Sequence, residues 1–174
     1  MSEQIRVMIS EQEVDTRIAE LAAKISADFQ GEEILAVAIL RGGAYFCTEL
    51  TKRITVPVVL DFVEASSYGN ETQSSGEVKI TKDLKERVEG RNVIVIEDII
   101  DTGRTLSLLM ENLKGRNPKS LKLCTLLDKP DRRVVEVPVD YNGFRIPNEF
   151  VVGCGMDYAQ RYRNLPYIGV VEFE

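Results

Sequence analysis

A chain of 174 residues is long enough to bury one sizeable core and too short for two domains of ordinary size. Apolar residues at 44% and charged residues at 29% exclude a disordered chain, and a formal net charge of −6 disfavours a broad surface for nucleic acid. Histidine is absent, which excludes a histidine-ligated metal and leaves carboxylates, lysines, tyrosines and cysteines as the acids and bases.

In chain order, residues 5–9 read as a short strand, and Ser10 with Glu13 forms a capping box. The spacing of Val14, Ile18, Leu21, Ala22, Ile25 and Phe29 predicts an amphipathic helix over 11–29, ended by Gly31. Residues 34–40 are a buried apolar strand, and Arg41-Gly42-Gly43 leads into a shorter helix through Phe46 and Leu50. Residues 58–64 supply the next strand. Strand, glycine turn, helix, strand is the pattern of a parallel α/β sheet. The long polar stretch SSYGNETQSSG, 66–76, reads as a mobile surface loop. A strand over 78–80 and a short helical turn over 82–88 follow.

The sequence VIVIEDIIDTGRT, 93–105, is the centre of the chain. Its four β-branched residues, 93–96, mark a strand buried on both faces. Glu97 and Asp98 come next, at the strand's C-terminal end. Asp101-Thr102-Gly103-Arg104-Thr105 then opens a helix with Leu106, Leu109, Met110 and Leu113 on one face and Gly115 as its C-cap. Backbone N–H groups and the dipole make such a helix start a site for anions. Carboxylates beside it can accept hydrogen bonds from a ribose diol, so the unit suits a ligand with both hydroxyls and a phosphate. Asp101 is a negative charge beside an anion site, costly unless it does chemistry or is held by donors. The alternative is that Asp98 or Asp101 N-caps the helix and Glu97 is solvated. The loop is neither a Walker A motif nor a G-x-G-x-x-G fingerprint.

Beyond Gly115, residues 121–127 form another strand, ending in Asp128-Lys129-Pro130. The rest is punctuated by Pro138, Pro147 and Pro166, with strand-like pieces at 135–141, 150–152 and 167–173. These pieces read as a small hood over the sheet, contributed mainly by the C-terminal segment of one domain spanning 1–174. Three widely separated cysteines (Cys47, Cys124, Cys154) fit a reducing cytoplasm, without a disulfide framework or zinc site. No apolar run reaches the length of a membrane span, and MSEQIRVMIS lacks a signal peptide's core, so a cytoplasmic protein without membrane contact is expected.

The stretch 93–105 resembles the phosphoribosyl-pyrophosphate motif of the type I phosphoribosyltransferases. LRGGAYF (40–46), LLDKP (126–130) and PNEFVVGCGMDYAQRYRNLPYIG (147–169) resemble the hypoxanthine-guanine branch, so the matches cover most of the chain. The resemblance implies an α/β fold with a central parallel sheet and a hood. It also implies phosphoribosyl transfer from phosphoribosyl pyrophosphate to hypoxanthine or guanine, giving IMP or GMP and pyrophosphate. Under it, Glu97 and Asp98 lie near the diol, and Asp101 to Thr105 (Thr102, Gly103 and Arg104 between them) bind the phosphoribosyl group. Asp101 handles the proton on purine nitrogen 7. Arg41, Gly42 and Arg163 meet pyrophosphate, with a cis peptide expected between Arg41 and Gly42. Lys129 contacts the six-oxo group, Phe150 stacks on the base, and Val151 offers backbone groups to its edge. Asp157 joins Glu97 and Asp98 at Mg²⁺, a hard cation also compatible with a site of carboxylates and ligand phosphates. Ser67 and Tyr68 start a lid over the reacting centre. The family commonly has tyrosine where Cys154 stands. A homo-oligomer, dimer or tetramer, is the expected assembly. A sibling enzyme preferring xanthine and an RNA-binding regulator of the same fold are the rival expectations.

Overall fold

The periodic apolar positions build strands and helices in the expected alternation. The computed structural model describes residues 2–67 and 77–174. In order these are β1 (Glu3–Ile9), α1 (Glu11–Asp28), β2 (Ile34–Ile39), α2 (Gly43–Thr51), β3 (Val58–Ser67), β4 (Val78–Lys82) and β5 (Asn92–Ile100). They continue as α3 (Arg104–Lys114), β6 (Ser120–Asp128), β7 (Tyr141–Arg145), β8 (Val151–Val152) and β9 (Ile168–Phe173).

The main sheet has the order β4-β3-β2-β5-β6-β7, parallel throughout except for antiparallel β4 at one edge. Helix α2 carries the chain from β2 outward to β3, while α3 carries it from β5 the other way to β6. The reversal between β2 and β5 opens a crevice beyond their carboxyl ends, where α/β sheets bind ligands. Pairing of β2 with β5 stops at Ala38 and Ile96, but β5 runs on beside β6 to Ile100. Glu97 and Asp98 therefore lie within the strand, on an overhang that β2 has already left.

Both faces of the sheet are covered, which is why the strand sequences are apolar without alternation. Val14, Ile18, Leu21 and Ile25 of α1 and Phe46 and Leu50 of α2 pack on one face, against Ala36, Ala38, Ile94 and Ile96. Leu106, Leu109 and Leu113 of α3 pack on the other, against Leu35, Val37, Val93 and Val95. The capping box at α1 forms as expected, with Glu13 N–H donating to Ser10 Oγ at 3.2 Å and Ser10 N–H to Glu13 Oε2 at 2.8 Å. A second antiparallel sheet, β1-β9-β8, adds Ile9, Val151, Ile168 and Val170 to the core beneath α1. Among the described residues, no helix is long and apolar enough to cross a membrane.

Three local expectations are corrected. No helical turn forms over 82–88, because the N–H groups of Lys85 and Glu86 both donate, at 2.8 Å, to the buried carboxylate of Asp61. A single helical turn is too costly to nucleate against such an acceptor. No strand forms over 135–141 until Tyr141 pairs with Cys124; the N–H groups of Val134 and Val135 instead donate to Thr102 O at 2.9 and 3.1 Å. Gly115 does cap α3, but at φ −63°; the left-handed residue that follows the helix is Asn117, at φ 58°.

Candidate active site

The floor of the crevice is the loop from β2 to α2 lying on the β5 overhang. A Cβ on Gly42 would stand 1.8 Å from Asp98 Oδ2, and one on Gly43 would stand 2.9 Å from Ile96 O. Only glycine permits that approach. The cis peptide is Leu40–Arg41, one bond earlier than expected. Gly42 already has helical angles (φ −59°, ψ −37°) as the N-cap of α2, so the chain reverses before it, where Leu40 N–H still donates to Val63 O at 2.8 Å. On the overhang, Asp98 Oδ1 accepts from Ile99 N–H at 2.7 Å and Glu97 Oε1 accepts from Asp98 N–H at 3.0 Å. Desolvation, and then the Asp98 charge, push Glu97 well above the usual carboxylate range.

The helix start next to it leaves backbone N–H donors open. Gly103 caps α3 at φ 82°, with no side-chain cap and no acidic residue in the first turn. By contrast α1 caps itself with Ser10 and carries Glu11 and Glu13 there. The first helical bond of α3 is Ser107 N–H to Gly103 O at 2.9 Å. The N–H groups of Thr105 and Leu106 thus have no intrahelical acceptor. Arg104 is the first helical residue, and its N–H donates to Thr102 Oγ1 at 3.4 Å. Neither Asp98 nor Asp101 is the cap, so the capping alternative for them falls. Asp101 is exposed and instead accepts from Arg132 Nε at 3.0 Å, while its carbonyl accepts from Arg133 Nε at 3.3 Å. Arg133 in turn pairs with Asp128, which is buried at the end of β6.

Opposite these elements, a cleft of about 190 Å³ brings Asp98, Asp101, Lys129, Phe150, Val151 and Asp157 together. Lys129 is buried, and among the described residues its ammonium has no hydrogen bond or ion pair. Desolvation lowers its pKa, against an opposing pull from the Asp101 charge. Phe150 is 53% exposed, its ring held by an edge contact with Tyr158 at 5.6 Å and 88°. Asp157 Oδ1 pairs with Arg163 at 3.2 Å, and Arg163 Nη1 donates to Gly155 O at 2.6 Å. Gln160 Oε1 accepts from both Arg41 Nη1 and Arg163 Nη2, at 3.0 Å each.

The chain matches the phosphoribosyl transferase domain over residues 9–159. The chain belongs to the phosphoribosyltransferase family. It is 50% identical over 167 residues to the hypoxanthine-guanine phosphoribosyltransferase of Bacillus subtilis (strain 168), covering 96% of this chain and 93% of that protein. It is 56% identical over 169 residues to the bifunctional protein TilS/HprT of Listeria monocytogenes serotype 4b (strain F2365). That alignment takes 97% of this chain but spans only 26% of the Listeria protein's length. A crystal structure of a Bacillus anthracis hypoxanthine-guanine phosphoribosyltransferase, with a HEPES molecule in its active site, superposes with TM-score 0.92 at 46% identity. It covers 99% of this chain and 100% of that one. The fold is thus that of the type I phosphoribosyltransferases.

Against that family frame, Ser67 ends β3, and Tyr68 with the rest of the expected lid, 68–76, lies outside the described residues. Cys154 sits at φ 50°, its N–H donating to Leu165 O at 2.8 Å, and burial pushes its thiol to about 12, so it stays protonated. Among the described residues no group of three or more cysteine or carboxylate side chains is gathered for a metal. Asp98 and Asp157 nevertheless line one cleft, and two hard oxygen donors there suit Mg²⁺ if phosphate, hydroxyl and water oxygens complete its shell. Sequence reasoning missed Asp128, Arg132, Arg133, Gly155 and Gln160. The usable signals were a carboxylate closing an apolar strand (Asp128) and the spacing of Gly153 and Gly155; nothing local marks Gln160.

Proposed function

We propose that this chain transfers the phosphoribosyl group of phosphoribosyl pyrophosphate to hypoxanthine, and to guanine, as a purine-salvage enzyme. The names of the full-length relatives support this reading. The single observation that carries it is the cleft joining the acidic strand overhang and Asp101 to a buried lysine, which among the described residues has no hydrogen bond or ion pair, beside an open aromatic face. The 5′-phosphate takes the N–H groups and hydroxyls of 102–105, with Asp98 and Glu97 at the ribose diol. The purine lies on Phe150, its oxo group toward Lys129 and its edge toward the backbone of Val151. Arg41, Gly42 and Arg163 receive pyrophosphate. The transition state is oxocarbenium-like, so orientation and charge placement supply most of the rate. Asp101, positioned by Arg132 Nε at 3.0 Å, serves as the base for the purine proton. Mg²⁺, held by Asp98 and Asp157 with Glu97 close by, would neutralise charge on the leaving pyrophosphate. Ser67 and Tyr68 would begin a lid that excludes water. The hood of this single 1–174 domain is the small sheet with 147–167, and the working form is a cytoplasmic homo-oligomer, dimer or tetramer.

The test is pyrophosphate release from phosphoribosyl pyrophosphate and Mg²⁺ with hypoxanthine, guanine, xanthine and adenine in turn. Hypoxanthine and guanine should be turned over and adenine should not. Asp101→Asn should lower turnover by about 10²–10⁴-fold, the range of general acid–base catalysis. No release with any purine would refute the reading.

A further inference from the structure

Two like charges meet at one neutral oxygen in this structure. Arg41 comes from the β2–α2 loop and Arg163 from the hood, yet Gln160 Oε1 accepts from both at 3.0 Å. Both partners are donors, so the atom between them is the amide oxygen. Arg163 is further fixed by Gly155 O at 2.6 Å and Asp157 Oδ1 at 3.2 Å. Gly155 itself lies against the loop, since a Cβ there would stand 2.1 Å from Gly42 O.

The backbone that presents Gln160 is unusual in an independent way. Tyr158 and Arg161 exchange N–H···O bonds of 3.0 and 2.9 Å around a two-residue turn. Its central residues, Ala159 and Gln160, stand at φ 50° and 65°. Two positive φ values define the type I′ turn, which ordinarily takes Asn-Gly. Left-handed angles at residues bearing ordinary side chains persist where the surroundings over-determine them. Here Gln160 N–H is also held, by Asp157 Oδ2 at 2.9 Å.

We infer that Gln160 is a positioning residue, a neutral clip that holds the Arg41 and Arg163 guanidiniums side by side without cancelling their charge. This rests on the reading of those arginines as the pyrophosphate site. Each guanidinium has five N–H donors, so one bond apiece to Gln160 leaves others for the anion. A glutamate would bind both arginines more strongly, but it would offset one of their two positive charges and face the ligand with a negative charge. The clip and its charge state therefore separate. Gln160→Glu keeps the first and loses the second, and Gln160→Met does the reverse.

The experiment titrates the full chain with Mg²⁺-pyrophosphate by calorimetry, with KM for phosphoribosyl pyrophosphate, kcat and Tm measured alongside. In Gln160→Glu, Kd and KM should rise about tenfold, the effect of one unit charge a few ångströms from a polyanion at the protein surface. Its Tm should not fall, and kcat at saturation should be unchanged. Gln160→Met should raise Kd by about threefold through loss of the shared acceptor. A purely structural residue would tie lost affinity to lost Tm in both variants, and that result overturns the inference. If Arg163→Ala loses pyrophosphate binding while both Gln160 variants bind like wild type, the inference alone falls. If Arg163→Ala binds pyrophosphate normally, the pyrophosphate reading falls and takes this inference with it.

Discussion

Residues 101–105 and the Arg41–Arg163 pair are both proposed to hold phosphate groups, and they are made by different means. The first is one continuous unit: a strand overhang, a left-handed glycine and a helix whose first turn has no cap of its own. Its positive potential comes from backbone dipoles that fold into place with α3, joined by the Arg104 side chain of the same segment. The second is assembled from distant parts of the chain, by glycine-to-backbone contact between Gly155 and Gly42 and by the shared Gln160 oxygen. Its potential comes from guanidinium charge, held by tertiary contacts alone. A local site survives most changes elsewhere, whereas an assembled one depends on the fit between two surfaces.

The sharpest way to break that comparison is Gly42→Ala. The φ of −59° would suit alanine, so the backbone does not object. The new Cβ would instead meet Asp98 Oδ2 at 1.8 Å and Gly155 O at 3.2 Å, pushing the loop off both the overhang and the hood. Turnover should fall about 10²-fold, the usual consequence of misplacing reacting groups by about an ångström. Pyrophosphate affinity should fall further than IMP affinity. Equal losses of the two would mean that the sites are one structure.

Thr105→Ala is the complementary change and a smaller one. Thr105 is half-buried in the first turn of α3, within the segment proposed to hold the 5′-phosphate. IMP binding should weaken about tenfold, as expected for one hydrogen bond to a charged group, with pyrophosphate binding on its own left intact. A parallel loss of pyrophosphate affinity in the same titrations would contradict the separation.

The contrast also explains what the sequence could say. Strands and helices were legible because burial on both faces leaves continuous apolar strands, and helical spacing marks α1 and α3. The acidic pair was legible because carboxylates rarely follow such a run without a purpose. The segments 82–88 and 135–141 were misread for one shared reason. Each gives its N–H groups to an acceptor elsewhere in the chain, Asp61 in one case and Thr102 O in the other. Gln160 carried no signal, since an Ala-Gln pair has none of the turn chemistry its angles would normally demand. The cis bond was displaced by one residue because the helical start of α2 at Gly42 is set by packing on β5, which the glycine pair alone does not locate.

The smallest expected effect falls outside both anion sites, at Lys129, and so serves as the control for the comparison. An ammonium has three donors and no acceptor, so it can pair with a six-oxo purine but cannot accept from a six-amino one. Adenine would leave it desolvated against another donor, a penalty of about 1–3 kcal/mol. Lys129→Gln supplies both a donor and an acceptor, so hypoxanthine turnover should drop and its advantage over adenine should narrow. Pyrophosphate and ribose-phosphate affinities should not move. Stability should change in the opposite direction from activity. Burial depresses the Lys129 pKa from its ordinary value of 10.5, so the charged form is disfavoured in the folded chain. That penalty is complete below the folded-state pKa and disappears as pH rises through the unfolded value. At neutral pH, then, glutamine relieves it, and Tm should rise by about 1–2 °C, an increment typical of removing a functional residue from a costly environment. The gain should shrink toward zero above pH 10.5. Competitive turnover of the three bases and thermal melts at two pH values decide the matter. Unchanged base preference together with an unchanged Tm would make Lys129 an ordinary lysine at the end of β6, and would leave base selection to the backbone of Val151.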